Sequence, residues 1–477
     1  MIADTAEITA VGDLRVNEIQ ADQLTLEAGD DINDARFLDG LGITTDSLVV
    51  RAGNSNDELT FGGIVLETDV NNLSATVDGT GFGNIVIVER DAIVLGDVVT
   101  GDGRVTIEAG GTISGGSIET RIDDEQNDIR LIASGSNSDI RVDQIDAGSE
   151  GDVFLIADDD VIISGAGNEV VSDFLFVSAR NLSAGGTNGI VLSSNAARVS
   201  ATVGNVNDPV LNPGGISITD ASDLELEFAR TQFGEIDVTS NGTLVASNVQ
   251  AGGVDSAEAI RLAALGNGSD VVVGRVAVAG QAGGIVLTAD DDVRDSDLED
   301  TLLVVADELT LVAGNNQDDA FNGISSQSRV NTISATVGNS LTDNPVILLN
   351  NFGDLTVNQA SLNTGRIRVS NQVGFLTIDD ISLTGTSADN RVFVSTANSD
   401  IAVGRIDAGG GVVTIDSADD IFDTDFQDDL FVSGEFLSVT SRNGNVDAFD
   451  GVILNVDVDQ FVADVQGGGS EFIRQIG

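Results

Sequence analysis

The chain has no lysine, histidine, cysteine, tryptophan or tyrosine among its 477 residues, and only 3 prolines. Each absence removes a class of chemistry. Without histidine or cysteine there is no imidazole base, no thiolate nucleophile and no zinc, haem or iron–sulfur site of the usual kind. Without lysine there is no Schiff base and no P-loop lysine. All 21 basic residues are arginines, set against 78 acids, for a net charge of −57. Nucleic acid, which is bound by neutralising phosphates, is excluded as a partner. No apolar run reaches about 18 residues, so membrane insertion is not expected. The opening MIADTAEITAVGDL has neither the basic nor the apolar region of a signal peptide. Lack of cysteine fits a reducing compartment or a fold that needs no staples. The charge favours an extracellular or cell-surface setting, where salt and divalent ions screen self-repulsion.

What is present is 41% hydrophobic residues and 56 glycines. That is too apolar for a disordered polyanion and suits short strands with many turns.

Three sequence markers share one long period. Gly12-Asp13-Leu14 returns as Ser138-Asp139-Ile140, Ser269-Asp270-Val271 and Ser399-Asp400-Ile401. The segment GIVLETDVNNLSATV (63–77) aligns without gaps with GIVLSSNAARVSATV (189–203) and GISSQSRVNTISATV (323–337), and less closely with GVILNVDVDQFVADV (451–465). Acidic pairs recur at Asp30-Asp31, Asp159-Asp160, Asp291-Asp292 and Asp419-Asp420, at intervals of 129, 132 and 128 residues. The chain therefore reads as one continuous solenoid, 1–477, of super-repeats 12–137, 138–268, 269–398 and 399–477, the last incomplete. It has the look of an excerpt from a longer protein, or of a subunit whose ends are covered by neighbours.

Within a repeat the texture is finer. Runs such as RVTIEAG, IRLIAS, VFLIA and NRVFVST alternate with period two and close on Gly, Asn or Asp. About 20 residues per turn, with several short strands in each, predicts an all-β parallel β-helix (β-solenoid) of roughly two dozen turns, right-handed by the crossover rule. Tandem β-sandwich domains are the alternative. They are disfavoured by the missing Trp and Tyr and by the lack of linkers. The repeated glycine at Gly63, Gly189, Gly323 and Gly451 predicts a turn with positive φ.

Two readings of the acidic pairs stand side by side. Asp is a turn residue, satisfying backbone groups with its own side chain. Stacked carboxylates are also hard oxygen ligands for Ca²⁺, and like charges so close need a cation or a raised pKa. The calcium reading takes in Asp30, Asp31, Asp34, Asp159, Asp160, Asp291, Asp292, Asp295, Asp419, Asp420 and Asp423. Asp34, Asp295 and Asp423 follow their pairs by three positions, where the second repeat has Ile163. The stretch DTDFQDD (423–429) is a further candidate.

Runs such as GGIVLTADDDV (283–293) and GGGVVTIDSADDI (409–421) resemble the repetitive shafts of filamentous-haemagglutinin-like giant bacterial adhesins. The resemblance is one of texture over nearly the whole chain and carries over no functional residue. It implies a right-handed β-helix displayed at a cell surface. The expected function is a structural shaft segment of a secreted adhesin or extracellular fibre, calcium-stabilised, stacking end to end or continuing into neighbouring repeats. An enzyme is not expected. The competing reading is a β-helix lyase or hydrolase acting on polysaccharide. Against it stand the absence of aromatic platforms other than Phe, the absence of a strong base other than Arg, and no repeat with a unique cluster.

Overall fold

The computed structural model describes residues 3–37, 42–54, 62–79, 81–165, 167, 169–181, 189–204, 214–253, 259–281, 283–296, 304–316, 321–338, 345–424, 431–442, 451–467 and 469–476. Among them 41 strands form, with one single 3-10 turn at Ala279–Gln281. The protein is an all-β parallel solenoid, as the period-two runs predict. The chain divides into two compact units, Met1–Val238 and Thr239–Gly477.

In the first unit Val105–Ala109, Ile129–Ala133, Val153–Ala157 and the second half of Val170–Ala179 lie in parallel register, one turn above another. Successive side chains of a strand point to opposite faces. Ile129, Leu131 and Ala133 are therefore buried while Arg130 and Ile132 face outward. In-register stacking turns this alternation into columns. Ile107, Leu131, Leu155 and Val177 form one inward column. Ala109, Ala133, Ala157 and Ala179 form another at the strand ends. Small side chains suit that place, because the chain turns a corner there and two faces converge. In the second unit Ile285, Leu309 and Ile333 stack likewise, and Ala264, Ala289 and Ala313 repeat the alanine column.

Parallel pairing excludes the β-sandwich alternative, whose sheets are antiparallel. The turns are also longer than the sequence suggests. Ile129 to Val153 is a step of 24 residues, so there are fewer turns than two dozen. Four steps are the longest among the described residues: Ile32 to Ile64, Val161 to Ile190, Val293 to Ile324 and Ile421 to Val452. Each begins directly after an acidic pair.

Candidate functional site

The three long-period markers converge in space. At the start of the stacked strands, one column reads Asp139, Asp160, Gly189 on three successive turns, because Ile140, Val161 and Ile190 stack in register. The column reads Asp13, Asp31, Gly63 and Asp270, Asp292, Gly323 and Asp400, Asp420, Gly451 in the other copies. The first two columns belong to the first unit and the last two to the second.

Hydrogen bonds join each column. The second Asp of the pair accepts from the glycine N–H one long turn on: Asp31 Oδ1 from Gly63 (2.7 Å), Asp160 Oδ1 from Gly189 (3.0 Å), Asp292 Oδ1 from Gly323 (2.6 Å) and Asp420 Oδ1 from Gly451 (2.7 Å). Below it, Asp139, Asp270 and Asp400 accept through Oδ1 from the N–H of Asp160, Asp292 and Asp420 at 3.1–3.2 Å. The carbonyls of Asp31, Asp160, Asp292 and Asp420 accept from Leu14, Ile140, Val271 and Ile401. A carboxylate thus continues the ladder past the end of the strand. A charge-assisted bond of this kind is worth about 1.5–3 kcal/mol.

The glycines end the column for a steric reason. Their φ angles are 102°, 119°, 121° and 129°, in the region that favours glycine. A Cβ at Gly189 would run into the carbonyl of Gly215, and one at Gly451 into that of Ser470.

The same columns gather charge. Asp13, Asp30 and Asp31 have carboxylate oxygens within 4.8 Å of one another, and so do Asp139, Asp159 and Asp160; Asp270, Asp291 and Asp292; and Asp400, Asp419 and Asp420. Asp159, Asp160, Asp291, Asp292, Asp419 and Asp420 are all buried. Burial, then the charges of Asp159 and Asp139, push the Asp160 carboxyl up to about 6, against the lowering effect of the Gly189 hydrogen bond. Arg141 pairs with Asp139 (2.9 Å) and Arg294 with Asp270 (2.7 Å). Asp34, Asp295 and Asp423 fall outside these groups. They pair in register with Val16, Val273 and Val403, at the position held by inward-facing Ile163 in the second repeat. Asp34 accepts instead from the Arg36 N–H, and Asp423 from that of Asn455. Residues 425–429 of DTDFQDD lie outside the described residues.

Sequence reasoning kept Asp13, Asp139, Asp270 and Asp400 as repeat markers but not as site residues. Their invariant place before a strand was the signal. It also passed over Asn54, Asn181 and Asn315. These sit at positive φ (43°, 50° and 55°) and donate their N–H to the carbonyls of Asp30, Asp159 and Asp291. They occur in A-x-N after a strand, spaced like the other markers.

A second set of buried polar residues was not visible in sequence at all. Glu89 Oε2 accepts from the Thr68 hydroxyl (2.7 Å) and the Val70 N–H (3.1 Å). Asp220 Oδ2 accepts from the Ser194 hydroxyl and the Ala196 N–H, and Asn351 Oδ1 from the Ser328 hydroxyl and the Val330 N–H. Thr68, Ser194 and Ser328 align in the 15-residue marker, so one structural place is filled by Glu, Asp and Asn in turn. Burial pushes Glu89 up to about 7, against four hydrogen bonds that lower it, and raises Asp220. Glu89 also forms a fifth acidic group with Asp69 and Asp91.

No described helix is long and apolar enough to cross a membrane. No family model matches the chain, and no curated protein or solved structure is found to be similar to it.

Proposed function

We propose that the chain is a structural shaft segment of a secreted or cell-surface adhesin or extracellular fibre, and that its aspartate columns take up Ca²⁺. The observation that carries this reading is the recurrence of one three-turn column, four times, with the same residue types and the same bond from the glycine N–H to the second aspartate. Repetition without a distinct copy is what selection for length produces, since each solenoid turn buries its face only against the next. A catalytic site, by contrast, breaks such a series once. The acidic group that occurs once among the described residues, around Glu89, is used up in holding a turn: Glu89 is buried and accepts from Thr68, Val70, Arg90 and Asp91.

Calcium fits the columns by chemistry. It takes six to eight oxygens in adaptable geometry, and three carboxylates meet in each column. Burial raises Asp160 most, and a divalent ion there relieves the further rise that comes from the charges of Asp159 and Asp139. Thermal unfolding and negative-stain electron microscopy of the purified chain, in millimolar calcium and in chelator, test both parts. The expected result is a midpoint that rises with calcium and saturates near four ions, one for each column, with filaments only when calcium is present. An unchanged midpoint and identical particles in both conditions would make the acids turn residues alone and remove end-to-end assembly.

A further inference from the structure

The outward face of the first unit carries an aromatic patch that departs from the chain's acidic balance. Between the inward residues of the stacked strands lies an outward column: Thr106, Arg130, Phe154 and Phe176. With strands about 4.8 Å apart it extends about 14 Å. The Phe154 and Phe176 ring centroids are 6.3 Å apart with planes inclined by 40°, and Phe174 meets Phe154 edge-on at 6.4 Å. Three of the chain's 19 phenylalanines therefore share one outward patch. Phe154 and Phe176 border a recess of about 450 Å³ whose other wall includes Arg104, Asp128 and Arg130. That volume is in the range of small-molecule sites.

The charge of this lining is reversed relative to the rest of the chain. Acids outnumber bases 78 to 21 overall, yet here two arginines face one aspartate. Arg104 Nε lies 3.3 Å from Asp128 Oδ2, so that pair cancels. Arg130 is exposed and, among the described residues, has no ion pair. Nor is it stacked on a ring: among the described residues the cation–π contacts are those of Arg198 with Phe174 and Arg368 with Phe393. A guanidinium with all its donors available thus stands one turn below an aromatic platform.

We propose that this recess binds a small amphiphilic anion. Its carboxylate, sulfonate or phosphate is held by the Arg130 fork, which matches such groups two bonds at a time. Its flat apolar body rests on Phe154 and Phe176. The net charge of the chain repels anions at long range, so only one that also buries apolar surface is retained. This site is independent of the shaft reading and of calcium.

The test compares two fluorescent probes of nearly one shape, 1-anilinonaphthalene-8-sulfonate and its uncharged counterpart N-phenyl-1-naphthylamine. Both are titrated into the whole chain and into Arg130→Gln and Phe154→Ser variants, with folding checked by circular dichroism. The expected result is a single sulfonate site that binds more tightly than the uncharged probe. Arg130→Gln weakens the sulfonate by up to about fivefold, as loss of a solvent-exposed ion pair entails, and leaves the uncharged probe unchanged. Phe154→Ser weakens both. The proposal is overturned if the sulfonate does not bind, if it binds no more tightly than the uncharged probe, or if folded Arg130→Gln binds it as the parent does. Arg130 is exposed, so that variant keeps the test decisive even where Phe154→Ser unfolds.

Discussion

Glu89 offers a quantitative test of which force governs a buried carboxylate here. Four donors favour its ionised form, from Thr68, Val70, Arg90 and Asp91. Burial opposes it and wins, taking the group from an ordinary 4.5 to about 7. The folded chain therefore holds this proton more tightly than the unfolded chain. By linkage, the stability that the proton contributes is complete below pH 4.5 and is lost as pH rises through 7. At about 1.4 kcal/mol per pH unit, the loss is about 3 kcal/mol. The other carboxylates also titrate, so the parent alone cannot isolate this effect. Glu89→Gln can, because an amide does not ionise and Asn351 already fills the equivalent place in the second unit. Urea unfolding of both proteins at a series of pH values from 4 to 8, on the order of half a unit apart, gives the difference in stability. That difference, parent minus variant, should fall by about 3 kcal/mol as the pH rises. A flat difference would mean that Glu89 titrates normally. A difference growing with pH would mean that the four donors outweigh burial, and would refute the reasoning.

Other substitutions probe the remaining links. Asp160→Asn keeps an oxygen for the Gly189 N–H but removes one of three crowded charges; in chelator it should raise the unfolding midpoint above pH 6, where Asp160 is ionised, and it should blunt the calcium response. Asp160→Ala loses the bond to Gly189 as well and should cost about 2 kcal/mol in urea unfolding. Gly189→Ala places a Cβ against the Gly215 carbonyl at a φ of 119°, and should lower stability by more than about 1 kcal/mol, whereas the same exchange inside an ordinary helix or strand raises it. Ala157→Leu overfills the corner between Ala133 and Ala179 and should cost about 1–3 kcal/mol, whereas outward Ile156→Thr should cost less.

The fold was legible because its cause is local and repeated. Period-two runs such as VFLIA (153–157) dictate strands with one buried face, and the scarcity of Pro, Trp and Tyr with no linkers left stacking as the way to bury it. The positive φ of the repeated glycines was readable for the same reason, since only the backbone demanded it. Turn length was misjudged because it depends on what side chains span outside the strands. The acidic pairs drew attention as charge, but in space they are first a ladder, in which Asp160 reaches up to Gly189 and Asp139 to Asp160. Sequence grouped Asp34, Asp295 and Asp423 with those pairs by proximity along the chain. Period two instead sends the third residue onward along a strand, away from the column.

Composition and spacing alone determined that this chain stacks, that it does so in parallel short strands, and that something recurs near every 130 residues. Only the tertiary structure decided what recurs. Residues 21 and 29 positions apart, Asp139 with Asp160 and Asp160 with Gly189, become neighbours because each turn closes at its own length. The same closure put Glu89, Asp220 and Asn351 in one place although their types differ, and set Arg130 beneath Phe154. Turn closure is a property of the whole coil, so no local pattern encodes it.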